Sequence, residues 1–119
     1  MISLVLALLL QYPSEDECAS RLAMQRGFHQ EVVMPDGTRC DLVSTDHAIE
    51  VEWSNKWKEA PAQATLYSIW LNKKPKIILL IKAELSAADK IDILRCRLVC
   101  ERLDIEVEIV RVTDLFTTR

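Results

Sequence analysis

The sequence has little glycine and proline, with 2 and 4 of these residues in 119. Both interrupt helices and strands, so their scarcity excludes a chain made mainly of long loops. Half of the residues are apolar and 28% are charged, which is typical of a folded globular protein. A chain of this length predicts one domain with a core of its own.

A surplus of positive charge is also missing, because the formal net charge is -3 at pH 7. Nucleic-acid-binding proteins are more often basic, so such a role requires a local basic patch. Five lysines near the predicted second helix could supply it: Lys56, Lys58, Lys73, Lys74 and Lys76. No recognition helix or zinc finger is visible, so the sequence gives no basis for base-specific reading.

The sequence lacks a CxxC motif, and its 4 cysteines are Cys18, Cys40, Cys96 and Cys100. Cys96 and Cys100 lie one helical turn apart, which would suit half of a metal site. No His or Cys cluster elsewhere completes that site. We therefore predict buried, reduced thiols, which suit a reducing compartment and favour a cytoplasmic protein.

The N-terminal segment, residues 1–12, has no basic residue before its apolar run ISLVLALLL and no A-x-A site after it. It therefore differs from an ordinary signal peptide. The run is also too short to cross a bilayer as a helix, so no membrane span is expected. An atypical export signal and a segment buried against the domain stay open, and we favour the second. Residues 13–119 then form the single domain.

Capping signals and hydrophobic patterning predict the element order α-β-β-β-α-β-α-β. The predicted helices are 14–27, 56–72 and 86–103, and the predicted strands are 29–34, 38–44, 47–53, 76–82 and 105–112. The apolar face of the third helix is expected to carry Ile91, Ile93, Leu94, Leu98 and Val99. The tail after residue 112 is expected to lack regular structure. This order predicts an α/β fold, with helices on both sides of a mixed sheet.

The second and third strands predict a β-hairpin centred on Thr45-Asp46. The residues that then face each other are Val43 with Ala48, Asp41 with Glu50, and Arg39 with Glu52. Side chains alternate along a strand, so these six residues share one face. The opposite face is apolar and carries Cys40, Leu42, Ile49, Val51 and Trp53.

The facing carboxylates of Asp41 and Glu50 repel each other, which costs stability. A Mg²⁺ or Mn²⁺ ion between them would remove that cost, since such ions take carboxylate oxygens, water and substrate phosphates as ligands. The ion could orient a phosphodiester, generate hydroxide and stabilise the leaving oxygen. The alternative is a solvated face on which Arg39 pairs with Glu52, and these residues alone favour neither interpretation.

The combination of Asp41, the triplet Glu50-Val51-Glu52 and the element order resembles the PD-(D/E)xK nuclease superfamily. Gln63 and Tyr67 form a QxxxY pattern on the next helix, which resembles the branch related to the RecB nuclease domain. The string DGTRCDLVSTDHAIEVEWSNKWKEAPAQATLY is similar to small uncharacterised bacterial members. The resemblance covers roughly residues 14–112. It implies a restriction-endonuclease-like fold with Asp41 and Glu50 as ligands of Mg²⁺ or Mn²⁺.

One position departs from the superfamily pattern, because Glu52 stands where a lysine is expected. The resemblance implies that Glu52 acts as a third acid or orients water, and that a lysine comes from elsewhere. Lys56 and Lys58 are the alternatives, and Lys56 matches the small-protein group better. Glu17 resembles the metal-proximal acid of the first helix, although a capping box with Ser14 explains it equally well.

The resemblance implies a metal-dependent nuclease that hydrolyses phosphodiester bonds in nucleic acid, expected to be DNA. Its expected site residues are Asp41, Glu50, Glu52, Lys56, Lys58, Gln63 and Tyr67, with Glu17 as a further metal ligand. Junction-cutting members are small and dimeric, so a homodimer is also expected. The alternative is an inactive nuclease-like domain that serves as a binding or assembly module.

Overall fold

The computed structural model describes residues 12–117, so the predictions made for residues 1–11 lie outside the described residues. The elements in chain order are helix α1 (Glu15–Arg26), strands β1 (His29–Val33), β2 (Arg39–Val43) and β3 (His47–Trp53), a 3₁₀ helix (Ser54–Glu59), helix α2 (Ala60–Leu71), strand β4 (Lys74–Ile81), helix α3 (Ala87–Arg102), strand β5 (Glu106–Arg111) and the short helix α4 (Val112–Leu115). The predicted order α-β-β-β-α-β-α-β is confirmed, and the structure adds the 3₁₀ helix and α4.

The two predicted capping boxes begin α1 and α3. Ser14 accepts a hydrogen bond from the backbone N–H of Glu17, and Ser86 accepts one from Asp89. The acidic side chains at these third positions reach back to the cap residues, which satisfies N–H groups that have no partner within the helix. Gly27 ends α1 in the left-handed conformation with φ 71°, which a residue without a Cβ adopts freely.

The five strands form one mixed sheet in the order β1-β2-β3-β4-β5. β1, β2 and β3 pair antiparallel, whereas β3, β4 and β5 run parallel. β4 lies between two parallel neighbours, and the five residues from Ile77 to Ile81 are all buried. This agrees with the prediction from its continuous apolar run, because a central strand of such a sheet is covered on both faces.

Helices cover both faces of the sheet, as expected. On one face, α1 and α4 pack against a core that includes Leu42, Val51 and Ile78. On the other face, α2 and α3 pack over Ile77 and Leu79. The protein is therefore an α/β domain with a five-stranded mixed sheet between helices.

Three local expectations were wrong. Cys40 packs with Val43, Ala48 and Tyr67 and not with Leu42, because regular alternation breaks at Asp41, as described below. The tail after residue 112 is not irregular throughout, since Val112 and Leu115 are buried against α1 as part of α4. The apolar face of α3 is also different, because Leu94 and Leu98 are more than half exposed. Cys96 and Cys100 make the buried contact of α3 with the sheet.

Among the helices of residues 12–117, none is both long enough and apolar enough to cross a membrane.

Candidate functional site

The β2–β3 hairpin has the predicted register where its strands pair, whereas Asp41 with Glu50 and Arg39 with Glu52 are not among the paired residues of this described hairpin. Leu42 faces Ile49 and Val43 faces Ala48. Beyond these pairs, backbone N–H groups donate to side-chain carboxyl groups of the facing strand and not to its backbone carbonyls. The Val51 N–H donates to Asp41 Oδ2 at 2.9 Å, and the Asp41 N–H donates to Glu50 Oε1 at 3.4 Å. Two carboxyl groups therefore lie between the strands at the point where the regular ladder stops.

Asp41 and Glu50 are acids whose ionisation is disfavoured. Burial, and then the charge of Asp41, raise the pKa of Glu50 to about 9. Burial also raises the pKa of Asp41, although the Val51 N–H and a hydrogen bond with Glu50 oppose that effect. Both pKa values are raised, so the environment of the pair disfavours two negative charges and favours a proton on Glu50.

Glu15, at the start of α1, brings a third element to this site. Its carboxyl group lies close to that of Glu52 of β3. Burial raises the pKa of Glu15 to about 8, and the interaction with Glu52 and the charge of Asp41 act in the same direction. The four carboxyl groups of Glu15, Asp41, Glu50 and Glu52 are called the acid cluster below. It combines residues from α1, β2 and β3.

The structure corrects the choice of acid on the first helix. Glu17 hydrogen-bonds with Ser14 in the capping box, whereas Glu15 faces the acid cluster. A sequence signal for Glu15 exists, because it lies three, four and seven residues before the buried Cys18, Ala19 and Leu22. Those spacings place it on the inner face of α1. Our prediction relied on the capping pattern and missed this acid.

The predicted lysines lie in different surroundings. Lys56 lines a cavity of about 240 Å³ just beyond the end of β3. This cavity is called the lysine cavity below, and its lining residues are Trp53, Ser54, Asn55, Lys56, Lys82 and Asp89. Both lysines are exposed, but Lys58 does not line this cavity. The strongest charge effects on Glu15, Asp41 and Glu50 come from other acids and not from either lysine. Lys56 is therefore the better placed of the two, although no salt bridge joins it to the cluster.

Of the two residues of the QxxxY pattern, Tyr67 belongs to the described core that packs against the hairpin of the site, and Gln63 does not. Tyr67 is 4% exposed and packs against Cys40, Val43 and Ala48 of the hairpin. Burial raises the pKa of its phenol, and the charge of Glu50 contributes to the same direction. Gln63 is half-buried one turn earlier on α2. Within residues 12–117, no hydrogen bond joins the Gln63 side chain to the acid cluster.

Other polar residues have structural roles. Asp36 accepts hydrogen bonds from the Thr38 backbone and hydroxyl, which lower its pKa and identify it as a turn residue. Arg39 pairs with Glu31 at 3.1 Å, so the expected pair with Glu52 is wrong. The basic patch is also smaller than expected. Lys73 donates to the Ser44 and Thr45 carbonyls, and Lys76 pairs with Glu106 and Glu108.

The fit of the acid cluster to a metal ion is partial. Across the described residues, no group of three or more His, Cys, Asp or Glu side chains is arranged to hold a metal ion. Mg²⁺ commonly needs only one or two protein carboxylates, with water and phosphate as its other ligands. Asp41 and Glu50 supply such oxygens, and their raised pKa values show that the protein leaves their charge poorly compensated. The pair therefore fits Mg²⁺ or Mn²⁺ in ligand type.

Comparisons of this chain with protein-family models, with curated proteins and with solved structures gave no match.

Proposed function

We propose that this protein is a Mg²⁺- or Mn²⁺-dependent nuclease that hydrolyses phosphodiester bonds in nucleic acid, with DNA as the expected substrate. The observation that carries the proposal is the Asp41–Glu50 pair, in which a partly buried and a buried carboxyl group from adjacent strands lie together and both have raised pKa values. Raised pKa values of this kind concentrate at functional sites. The pair lies where a hairpin separates, within a five-stranded sheet compatible with the proposed restriction-endonuclease-like topology.

Each residue has a proposed role in this nuclease. Asp41 and Glu50 would hold the ion, which supplies an activated water and stabilises charge on the phosphate. Glu52, which lies close to Glu15, would orient that water. Lys56 would stabilise negative charge at the scissile phosphate from the lysine cavity. Tyr67 would hold the hairpin in place, with Gln63 one turn away on α2.

A cleavage assay tests this proposal. Plasmid, linear, single-stranded and branched DNA, and RNA, are incubated with Mg²⁺ or Mn²⁺. We expect Asp41→Asn and Glu50→Gln to reduce cleavage by at least about 100-fold, because even residues behind metal ligands can change activity 10- to 100-fold. Asp104→Asn is the matched control, since Asp104 is exposed and its φ of 57° suits asparagine. Equal cleavage by all variants would show that the site assignment is wrong.

The second candidate function is an inactive nuclease-like module that binds or assembles with a partner. Two observations favour it. Glu52 occupies the position of the expected lysine, and no described group of three ligands is ready for a metal. An inactive site should give no Asp41-dependent heat when Mn²⁺ is titrated into the protein. The homodimer also stays a prediction, and sedimentation velocity would test it.

A further inference from the structure

The lysine cavity has polar groups beyond those that the proposed chemistry requires. It opens at the carboxyl ends of the parallel strands β3 and β4, where Ser54 follows β3 and Lys82 follows β4. Ligands of open α/β sheets bind preferentially at the carboxyl ends of their strands. A water molecule needs about 10–15 Å³ of such space, so the cavity's volume of about 240 Å³ admits a polyatomic anion.

Ser54 is the most informative residue of the cavity. The residue as a whole is 5% exposed, and within the described residues its hydroxyl oxygen is not among the fully buried side-chain atoms that have no partner. Within residues 12–117, this hydroxyl makes no hydrogen bond to the protein. Ser54 lines the cavity, so this hydroxyl group is free to donate a hydrogen bond to an anion that enters it.

The charge of the lining favours an anion. Lys56 and Lys82 contribute two positive charges, and neither forms a salt bridge within the described part of the chain. Lys82 Nζ lies 5.7 Å from the centre of the Tyr12 ring, within the range of a cation–π contact. Asp89 contributes one negative charge, but its carboxylate is bound to the Ser86 N–H at 2.9 Å as part of the α3 cap. The lining therefore has one net positive charge, in contrast to the acid cluster.

The acid cluster and the cavity lie next to each other along β3. Glu52 comes two residues before Ser54, and its carboxylate accepts from the Trp53 N–H at 3.1 Å. A strand rises by about 3.3 Å per residue, so Ser54 lies about 7 Å beyond Glu52 along the chain direction. This separation suits two groups that contact neighbouring parts of one extended ligand.

We propose that the lysine cavity binds a backbone phosphate of the nucleic acid next to the one that is cleaved, with the Ser54 hydroxyl and the Lys82 ammonium as its donors. This inference rests on the proposed nuclease function and adds a second contact with the substrate. Phosphate contacts of this kind fix the register of a nucleic acid on a protein without reading its sequence. Neither Ser54 nor Lys82 takes part in the proposed hydrolysis.

The first test measures binding of inorganic phosphate by the whole chain, through calorimetry and the fluorescence of Trp53 in the cavity wall. The nearly isosteric Ser54→Ala and the neutral Lys82→Gln should each weaken phosphate binding about fivefold or more. The matched control is Lys90→Gln, which removes an exposed lysine of α3 outside the cavity and should leave binding unchanged. Binding that is absent, or equal in all four proteins, would overturn the proposal.

The second test uses an oligonucleotide in EDTA, so that binding is measured without cleavage. Lys82→Gln should reduce the dependence of log K on log salt concentration by about 0.7–0.9, the contribution of one phosphate contact. Ser54→Ala should lower the affinity and leave this slope unchanged. Phosphate binding that depends on Lys82, together with unchanged oligonucleotide binding, would instead assign the cavity to a small phosphate compound and overturn the proposal.

These outcomes separate the inference from the nuclease function on which it rests. Loss of cleavage in Asp41→Asn with normal phosphate binding in that variant supports both. Phosphate and oligonucleotide binding that depends on Lys82 in a protein without any cleavage activity supports the inference and refutes the nuclease. Normal cleavage and oligonucleotide binding in Lys82→Gln and Ser54→Ala refutes the inference and leaves the nuclease standing.

Discussion

At the scale of single residues, Glu50 is the more deeply buried of the two proposed metal ligands. It is 6% exposed, and the charge that affects its pKa most is that of another acid, Asp41. An isolated buried carboxylate is costly, and the protein avoids that cost by keeping a proton on Glu50. A divalent cation bound at the same place would also offset the negative charge of the carboxylates. Protons and metal should therefore compete for this pair.

The raised pKa of Glu50 predicts that the protein without metal loses stability as the pH rises. The folded protein holds the proton more tightly than the unfolded chain, so protonated Glu50 contributes its full stability below about pH 4.5. That contribution is lost as the pH rises towards about 9. One such group changes the free energy of unfolding by at most about 1.4 kcal/mol per pH unit. Urea denaturation in EDTA between pH 5 and 9 measures this slope.

Glu50→Gln should flatten the slope, because glutamine has no proton to lose. Part of the slope should stay, since burial and Glu52 raise the pKa of Glu15 to about 8, in the same direction. The exposed Glu101 provides the control, and Glu101→Gln should behave as the natural protein does. A slope in Glu50→Gln equal to that of the natural protein would contradict the assignment of the proton to Glu50.

The two candidate lysines give a prediction about catalysis. Lys56→Gln should lower kcat by about 100-fold, the usual loss when a donor that stabilises transition-state charge is removed. Lys58→Gln should change kcat little, because Lys58 lies outside the lysine cavity. Single-turnover cleavage of an oligonucleotide measures both variants. The reverse order of effects would assign the role to Lys58.

At the scale of elements, the start of α1 determines where Glu15 lies. The Ser14–Glu17 capping box fixes the first turn, and Glu15 is its first residue. Ser14→Ala should cost about 1 kcal/mol of stability, and Ser86→Ala should cost a similar amount at the start of α3. Only Ser14→Ala should also weaken Mn²⁺ binding, because α3 does not contribute to the acid cluster. Calorimetry on both variants makes this comparison, and equal Mn²⁺ affinities would contradict it.

The elements also differ in how well the sequence predicted them. The hairpin register and the capping boxes were predictable, because they depend on spacing within a few neighbouring residues. The break at Asp41 was not, because it arises when side chains replace backbone partners across two strands. The exposure of Leu94 and Leu98 was not predictable either. Periodicity shows which residues of α3 are apolar, but only the tertiary structure shows that Cys96 and Cys100 face the sheet.

At the scale of the whole molecule, the acid cluster depends on contacts distant in sequence. Glu15 meets Glu52 because α1 packs across β2 and β3 in one common core. The proximity of Asp41 and Glu50 was therefore predictable, because they share a hairpin. The position of Glu15 required the packing of α1 on the sheet, although its place on the inner face of the helix was a usable signal.

Because three elements meet at this cluster, metal binding should stabilise the entire fold. A ligand that binds only the folded state adds about 2.7 kcal/mol at a concentration 100 times its Kd. We expect Mn²⁺ to raise the Tm of the natural protein at pH 8. Thermal scans should show no such rise for Asp41→Asn, whereas Asp104→Asn should respond normally. A similar rise in all three proteins would place the metal elsewhere.

The most direct test of the central claim is calorimetric titration of Mn²⁺ at pH 7.5 in two buffers with different ionisation heats. If Asp41 and Glu50 exchange a proton for a divalent ion, binding must release protons, and the measured heat must differ between the buffers. The natural protein and Asp104→Asn should show this proton-linked binding, and Asp41→Asn and Glu50→Gln should lose it. Mn²⁺ binding that releases no proton, or that persists in both site variants, would contradict the account.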